Sequence, residues 1–358
     1  MRSHDDVRIS LGPSLQVPGD DTMTVLWETD QSCFGHVACI SPDDEEIIVS
    51  SNTDEASTTH RVTITGLSPK TEYRYQVKAG DRVLHESRFR TLVRNSTYRV
   101  AIAGDMHAPR EEFGYLVPVI KENEPDFMVL LGDFVYRSDE NHWPSFFRMG
   151  RDLFDRIPFF PVVGDHDLGF KDKYGLYSRY FYTPNENGRK FFYYATEVSK
   201  DVLLFFDTNK IWGFFRQVFW LFRYLKKRAK KGEIRYLFVF AHKGPLSFKG
   251  GRPGLYGLRL LFGILKKYGV TAIFSGHDHH YVRARSHNGI PLFISGGGGG
   301  GRPYRINPDN PHSRMSGTME YGEVCRHILV LDVSDRECSV TTVDEEGRVV
   351  EKTRLSPP

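Results

Sequence analysis

PFFPVVGDHD (residues 158–167) runs from an apolar stretch directly into Asp165, His166 and Asp167. An unbroken series of Phe and Val suits a strand buried on both faces, and Gly164 marks where such a strand would stop. Five more runs share this form: YRVAIAGD, DFMVLLGD, DVLLFFDT, RYLFVFAH and VTAIFSGH, starting at Tyr98, Asp126, Asp201, Arg235 and Val270. Helical stretches separate them, so residues 97–345 are expected to form an α/β (α+β) domain with a β-sheet core flanked by helices.

Residues 7–94 read differently. TMTVLWET, HRVTITGL, TEYRYQVKAG and ESRFRTL are short alternating runs divided by Pro, Gly, Asp and Ser, the pattern of an N-terminal all-β sandwich. Trp27 is its expected core aromatic. In GLSPKTEYRYQV a Tyr follows a bend containing Pro69 and is placed to return its hydroxyl to the backbone. Residues 346–358 are read as a C-terminal tail.

With 358 residues, 40% hydrophobic and 13% aromatic, the chain can bury a large core across two domains. Forty-eight Lys and Arg against forty-five Asp and Glu leave a formal charge of +3, too balanced to argue for a nucleic-acid partner. Cys33 and Cys39, if on one extended strand, would lie about 20 Å apart, beyond disulfide reach. Cys325 and Cys338 flank an apparent hairpin turning near Asp335, and all four are read as small core thiols. The opening MRSHDDVRIS has no charged segment followed by an apolar core, and no apolar stretch of about 18 residues occurs, so a soluble chain is expected.

In FFRQVFWLFRYLKKRAKKGE, Val218, Leu221, Phe222 and Leu225 stand at helical spacing before a basic end closed by Gly232. A core-packing helix whose cationic last turn complements its dipole accounts for this. The same aromatic and basic composition also suits contact with a membrane surface.

Five of the six apolar runs finish in groups that bind metals: Asp105 and His107, Asp133, Asp165, His242, and His277 with His279. In open α/β sheets the carboxyl ends of strands form the ligand-binding edge, so these residues are expected to converge. A glycine precedes Asp105, Asp133, Asp165 and His277, which would let the chain turn sharply there. One strand-end Asp or His is more often a cap or a core polar group, but repetition over five ends favours metal binding. Three Asp and four His suffice for two ions sharing one carboxylate.

The order Asp-x-His, Gly-Asp, Gly-Asp-His-Asp, His and Gly-His-x-His resembles the calcineurin-like metallophosphoesterase superfamily. With a fibronectin type III-like sandwich in front, the chain is similar to purple acid phosphatases over roughly residues 7–345. The resemblance implies a binuclear centre of Fe, Mn or Zn that hydrolyses phosphate esters with water activated between the ions. It places Asp105, His107 and His279 on the first ion, Asp133 between both, and Asp165, His242 and His277 on the second. It sets His166 beside the leaving group, with Asp167 as its orienting partner.

The sequence departs from that pattern in places. Purple acid phosphatases usually lack the His of the first motif and use the Tyr of Gly-Asp-x-x-Tyr as a ferric ligand, whereas this chain has both His107 and Tyr136. The expectation is that His107 binds and Tyr136 packs beside it. The superfamily usually carries Asn where Asp165 stands, and Gly244 replaces a Pro in HKGP. Arg110, Lys243 and His280 are candidate substrate contacts. SGGGGGG is expected as a flexible loop at the cleft mouth, and RINPDNPHSRMSGTMEYG as a lid or substrate-contact loop.

A phosphomonoesterase is therefore expected, acting on a phosphorylated small molecule. A phosphodiesterase with the same centre is the nearest alternative, and a metal- or phosphate-binding module with weakened catalysis a third.

Overall fold

The computed structural model describes residues 7–42, 46–50, 55–94, 97–170, 173–184, 192–209, 213–301 and 304–356. A β-sandwich region leads into an α/β domain built on two large mixed sheets. The first sheet has nine strands, in the order Val349–Leu355, Cys338–Asp344, His327–Val333, Tyr98–Ala103, Phe127–Leu130, Phe159–Pro161, Ile9–Gln16, Thr22–Cys33 and Ser57–Thr65. The second has seven: Tyr194–Val198, Asp201–Phe206, Leu237–Ala241, Ala272–Ser275, Pro291–Ser295, Tyr281–Ser286 and Gly317–Glu323.

The apolar runs occupy the parallel centres of these sheets. Tyr98–Ala103, Phe127–Leu130 and Phe159–Pro161 are mutually parallel in the first, and Asp201–Phe206, Leu237–Ala241 and Ala272–Ser275 in the second. The sheets meet through one apolar layer in which Val100, Ile102, Val129 and Phe160 face Phe205, Phe238, Phe240 and Phe274. Further apolar clusters cover their outer faces, which is why these strands are apolar on both sides.

The front sandwich shares a sheet with the domain behind it. Ile9–Gln16, Thr22–Cys33 and Ser57–Thr65 continue the nine-stranded sheet, while Glu46–Ser50, Gly35–Ile40, Glu72–Ala79 and Arg82–Arg90 form the opposing layer. Between them lies a core holding Trp27, Val37, Tyr75 and Phe89. The Tyr73 hydroxyl accepts from Ser68 N at 2.8 Å, closing the bend at Pro69 as the sequence suggested. Tyr75 instead reaches across the junction, its hydroxyl donating to Asp155 O at 2.8 Å.

Four sequence expectations change. Val349–Leu355, read as tail, pairs antiparallel with Cys338–Asp344 as an edge strand. Cys33 and Cys39 fall on two successive strands, and all four cysteines are free thiols, three of them buried. RINPDNPHSRMSGTMEYG is no lid: Asn310 is fully buried with its amide on Ser247 O and Arg252 O, and Gly317–Glu323 is a strand. In the helix Phe214–Ala229, Leu221 and Leu225 face the core, but Phe222 is 41% exposed.

His60 gives the front layer a pH dependence. Its ring stacks on Trp27 at 4.8 Å, and its Nε2 lies 3.1 Å from Thr29 Oγ1. Burial lowers its pKa from the usual 6.5 to about 4. Between those values the unfolded chain binds a proton that the folded chain excludes, so the contribution is complete above pH 6.5 and shrinks toward pH 4, by up to about 3 kcal/mol. Urea unfolding of the wild type and His60→Phe across this range should show a stability difference flat above pH 6.5 and moving against the wild type below it.

Candidate metal centre

The carboxyl ends of the parallel strands in both sheets meet at one edge, and the strand-end ligands gather there. Asp105, Asp133 and Asp165 come from the nine-stranded sheet, and His242, His277 and His279 from the seven-stranded one. Two donor groups form, Asp105 with His107 and His279, and Asp133 with Asp165, His242 and His277, each within 4.8 Å internally. A third set joins His107, Asp133 and His166, so Asp133 belongs to both sides.

Asp133 and Asp105 are each held by one oxygen and offer the other. Asp133 Oδ1 accepts from His166 N at 2.9 Å, leaving Oδ2 at 3.2 Å from His242 Nε2 and 3.5 Å from His107 Nε2. Asp105 Oδ2 accepts from His277 N at 2.8 Å, while its Oδ1 stands 3.4 Å from His279 Nε2 without a hydrogen-bond partner. His242 Nδ1 lies 2.8 Å from Leu131 O, a carbonyl that can only accept, so in the neutral ring its Nε2 carries the lone pair. That nitrogen faces Asp165 Oδ1 at 3.0 Å and His277 Nδ1 at 3.1 Å. Such a crowd of buried acceptors has too few protons to satisfy it, and the orphaned atoms of Asp105 and His107 repeat the pattern. Cations fit this donor set, and oxygen and imidazole without thiolate suit Mn, Fe or Zn.

Electrostatics point the same way. Burial opposes ionisation of Asp105, yet its contacts with His107 and His279 hold its carboxyl well below the usual range. Burial likewise disfavours a charged His242, but Asp133 and Asp165 push its pKa well above the usual value. The cluster is short of positive charge.

Local backbone strain sits on the candidate ligands themselves. Asp105, His107, Asp133 and His277 have φ of 63°, 52°, 53° and 70°, a region costly for residues with a Cβ, on the order of 1–3 kcal/mol each. Of the preceding glycines only Gly132 has positive φ, so the expected turn-making role holds there and is corrected for Gly104, Gly164 and Gly276. They allow close approach: a Cβ on Gly164 would lie 2.1 Å from Asp133 N, and one on Gly276 2.5 Å from Asp105 Oδ2. The glycine run is also not a flexible mouth loop. Gly296 to Gly300 are buried beneath the ligands, and a Cβ on Gly301 would strike His279 Nδ1 at 1.9 Å.

Asp167 does not orient His166. Its Oδ2 accepts from Asp133 N and Gly164 N at 2.9 and 2.8 Å, and its Oδ1 from Phe134 N and Val135 N at 2.8 and 3.4 Å. It therefore ties the loop bearing Asp133 to the loop bearing Asp165. Burial and the Asp133 carboxylate raise its pKa to about 7, but four N–H groups around both oxygens suit the ionised form. His166 is oriented by Tyr136 O, 2.7 Å from its Nδ1.

The remaining candidates divide. Tyr136 is 50% exposed, its ring 6.1 Å from that of His107 and 5.6 Å from that of His166, whereas His107 is buried within the donor set. The Arg110 guanidinium lies 6.0 Å from the Tyr136 ring, at the rim. Lys243 reaches the site, Nζ 3.3 Å from Asp165 Oδ1. His280 does not; it is fully buried, Nδ1 3.3 Å from Tyr304 O and Nε2 3.8 Å from Asp278.

Three neighbours escaped the sequence reading. Tyr304 stacks on His279 at 4.6 Å and carries Lys249 Nζ 3.0 Å from its ring centroid. Asn209 donates to Val163 O and Gly164 O at 3.1 and 3.2 Å, and Asp278 accepts from Ser247 Oγ at 2.6 Å. The GHDHH string does carry a carboxylate between its two ligands, but Tyr304 and Asn209 have no local signal.

Residues 98–281, just over half of the chain, match the calcineurin-like phosphoesterase family. This chain belongs to the calcineurin-like phosphoesterases. Residues 11–91 of this phosphoesterase match the purple acid phosphatase N-terminal domain. It is 30% identical over 138 residues to tartrate-resistant acid phosphatase type 5 of Oryctolagus cuniculus, covering 37% of this chain and 41% of that protein. It is 24% identical to purple acid phosphatase 13 of Arabidopsis thaliana over 342 residues, covering 78% of this chain and 62% of that one. Purple acid phosphatase PPD1 from yellow lupin (Lupinus luteus) seeds shares its fold, with a TM-score of 0.74, 16% identity, and coverage of 96% of this chain and 74% of that chain. The phosphoesterase thus spans about two-fifths of the first of these relatives.

Removing the Asp167 clamp tests its positioning role. Asp167→Asn should lower stability by about 1–3 kcal/mol in urea unfolding, because two of four N–H contacts would meet an NH₂ group. It should also weaken binding of the second metal equivalent, by about 10- to 100-fold in a metal titration. Unchanged metal affinity would reduce Asp167 to a structural residue.

Proposed function

We propose that this phosphoesterase hydrolyses phosphate monoesters at a two-cation centre held by Asp105, His107 and His279 on one side and Asp165, His242 and His277 on the other. The observation that carries the reading is the placement of Asp133 Oδ2 between His107 Nε2 and His242 Nε2, at 3.5 and 3.2 Å, where one oxygen serves both donor groups. When bound, two such cations would supply Lewis acidity to phosphate oxygens and make water a nucleophile near neutral pH.

The chain's own groups do the rest. His166 presents the nitrogen left over from its contact with Tyr136 O, and as an imidazolium it would donate a proton to the departing alcohol oxygen. Asp133 Oδ1 fixes the His166 backbone, so proton donor and shared carboxylate keep one spacing. Lys243, Arg110 and Lys249 bring cations to the rim, which favours a monoester dianion over a diester monoanion.

Lys243 also gives Asp165 a physical context. Asp165 adds a negative charge where the superfamily usually has Asn, and the ammonium 3.3 Å away offsets it while leaving the oxygen available to His242 and His277. The pair is about one-third exposed on each side, so its coupling is expected near 1 kcal/mol. Lys243→Ala should raise KM for a monoester about fivefold, and Asp165→Asn in that background should recover most of the loss. Strictly additive effects in this cycle would sink the charge-balance idea.

The decisive assay hydrolyses a nitrophenyl phosphate monoester and its diester side by side, with metal-stripped protein refilled with Mn, Zn or Fe. Metal-dependent turnover favouring the monoester is expected, falling about a hundredfold or more in His242→Ala. A preference for the diester would move the reading to phosphodiesterase. Two tightly bound ions with no turnover on either ester would move it to a metal- or phosphate-binding module.

A further inference from the structure

The outward face of the helix Phe214–Ala229 is unlike an ordinary solvated face. Phe215, Phe219 and Phe222, at spacings of four and three residues, are 77%, 62% and 41% exposed. Gln217, Leu221 and Leu225 supply the buried side. The Arg223 guanidinium lies 5.5 Å from the Phe219 ring, and Lys226, Lys227, Lys230 and Lys231 extend the cationic border. A groove of about 1300 Å³ runs between this helix and the edge strand Tyr194–Val198, lined by Arg216, Trp220, Arg223, Lys226, Lys227 and Lys230 among others. Glu197, the acid in that lining, is held by Arg228 Nε at 2.7 Å.

Three phenylalanines standing in water beside a dense set of cations form a chemistry with few matching partners. A protein partner would need three pockets spaced to fit rings projecting from a convex helix, together with acids set around them. The interface of an anionic bilayer offers both without shape matching: rings enter the headgroup boundary, and Lys and Arg pair with phosphates. We propose that this helix docks the protein reversibly on membranes rich in anionic phospholipid. Among the described residues no helix is long and apolar enough to cross a membrane, so the contact would be peripheral. The surface stands apart from the metal centre, and the proposal does not depend on the hydrolytic reading.

The test is co-sedimentation of the full chain with vesicles of phosphatidylcholine alone or with about 30% phosphatidylserine. Affinity for the anionic vesicles should be at least about tenfold higher and should weaken sharply at about 0.5 M NaCl. Phe215→Ser with Phe219→Ser should cut it about tenfold at an unchanged melting temperature, since both rings are exposed. Lys226→Glu with Lys227→Glu should abolish the preference for phosphatidylserine. No sedimentation with either vesicle, or binding that survives both double variants, would overturn the proposal. Concentration-dependent self-association broken by the Phe variants would overturn it too, assigning the face to a second copy, and capture of a polyglutamate peptide without vesicle binding would assign it to an acidic polypeptide.

Discussion

The direction of the second oxygen of Asp133 is the constraint from which the candidate site is built. Its first oxygen is taken by the His166 backbone and its own N–H is taken by Asp167, so the free oxygen has one place to point. That place is between two imidazoles delivered by different strand ends. Holding it there requires a left-handed backbone at Asp133 and at three further ligands, conformations that persist only where surrounding packing leaves no alternative. The two-sheet apolar layer directly beneath supplies that packing.

Two sheets rather than one are needed for the donor chemistry. The three carboxylates and His107 leave the nine-stranded sheet, while His242, His277 and His279 leave the seven-stranded one, so the full donor set assembles only where the sheets converge. Convergence also buries most of the candidate ligands, which strips water from their oxygens and would strengthen every interaction they make with a cation. The most exposed of the seven is Asp165, at about one-third, and it is the carboxylate with a lysine at hand.

The parts legible in the sequence are those whose signal is local. Doubly buried parallel strands leave unbroken apolar runs, and ligands at their ends appear as Asp or His directly after those runs, so the α/β class, the sandwich in front and the gathering of ligands could be read residue by residue. Asp167 was visible but misassigned, because its partners are backbone N–H groups at positions 133 to 135, which no side-chain pattern announces. The glycine run looked like a loop because a buried backbone thread and a flexible one share a composition. Val349–Leu355 looked like a tail because an edge strand is mostly polar, with Glu351, Lys352 and Arg354 along it. Tyr304 and Asn209 reach the site through tertiary contacts alone.

The nine-stranded sheet runs through both halves of the chain, joined where Gln16 pairs with Phe159 and Val17 N donates to Phe159 O. Gln16 adds side-chain bonds to Tyr180 O and Tyr182 N. The front layer is consequently a lateral extension of the strand that delivers Asp165 and cannot be trimmed as an accessory. A fragment starting after residue 94 would present Phe159–Pro161 as an open, wholly apolar edge beside the ligands, a surface suited to pairing with another chain.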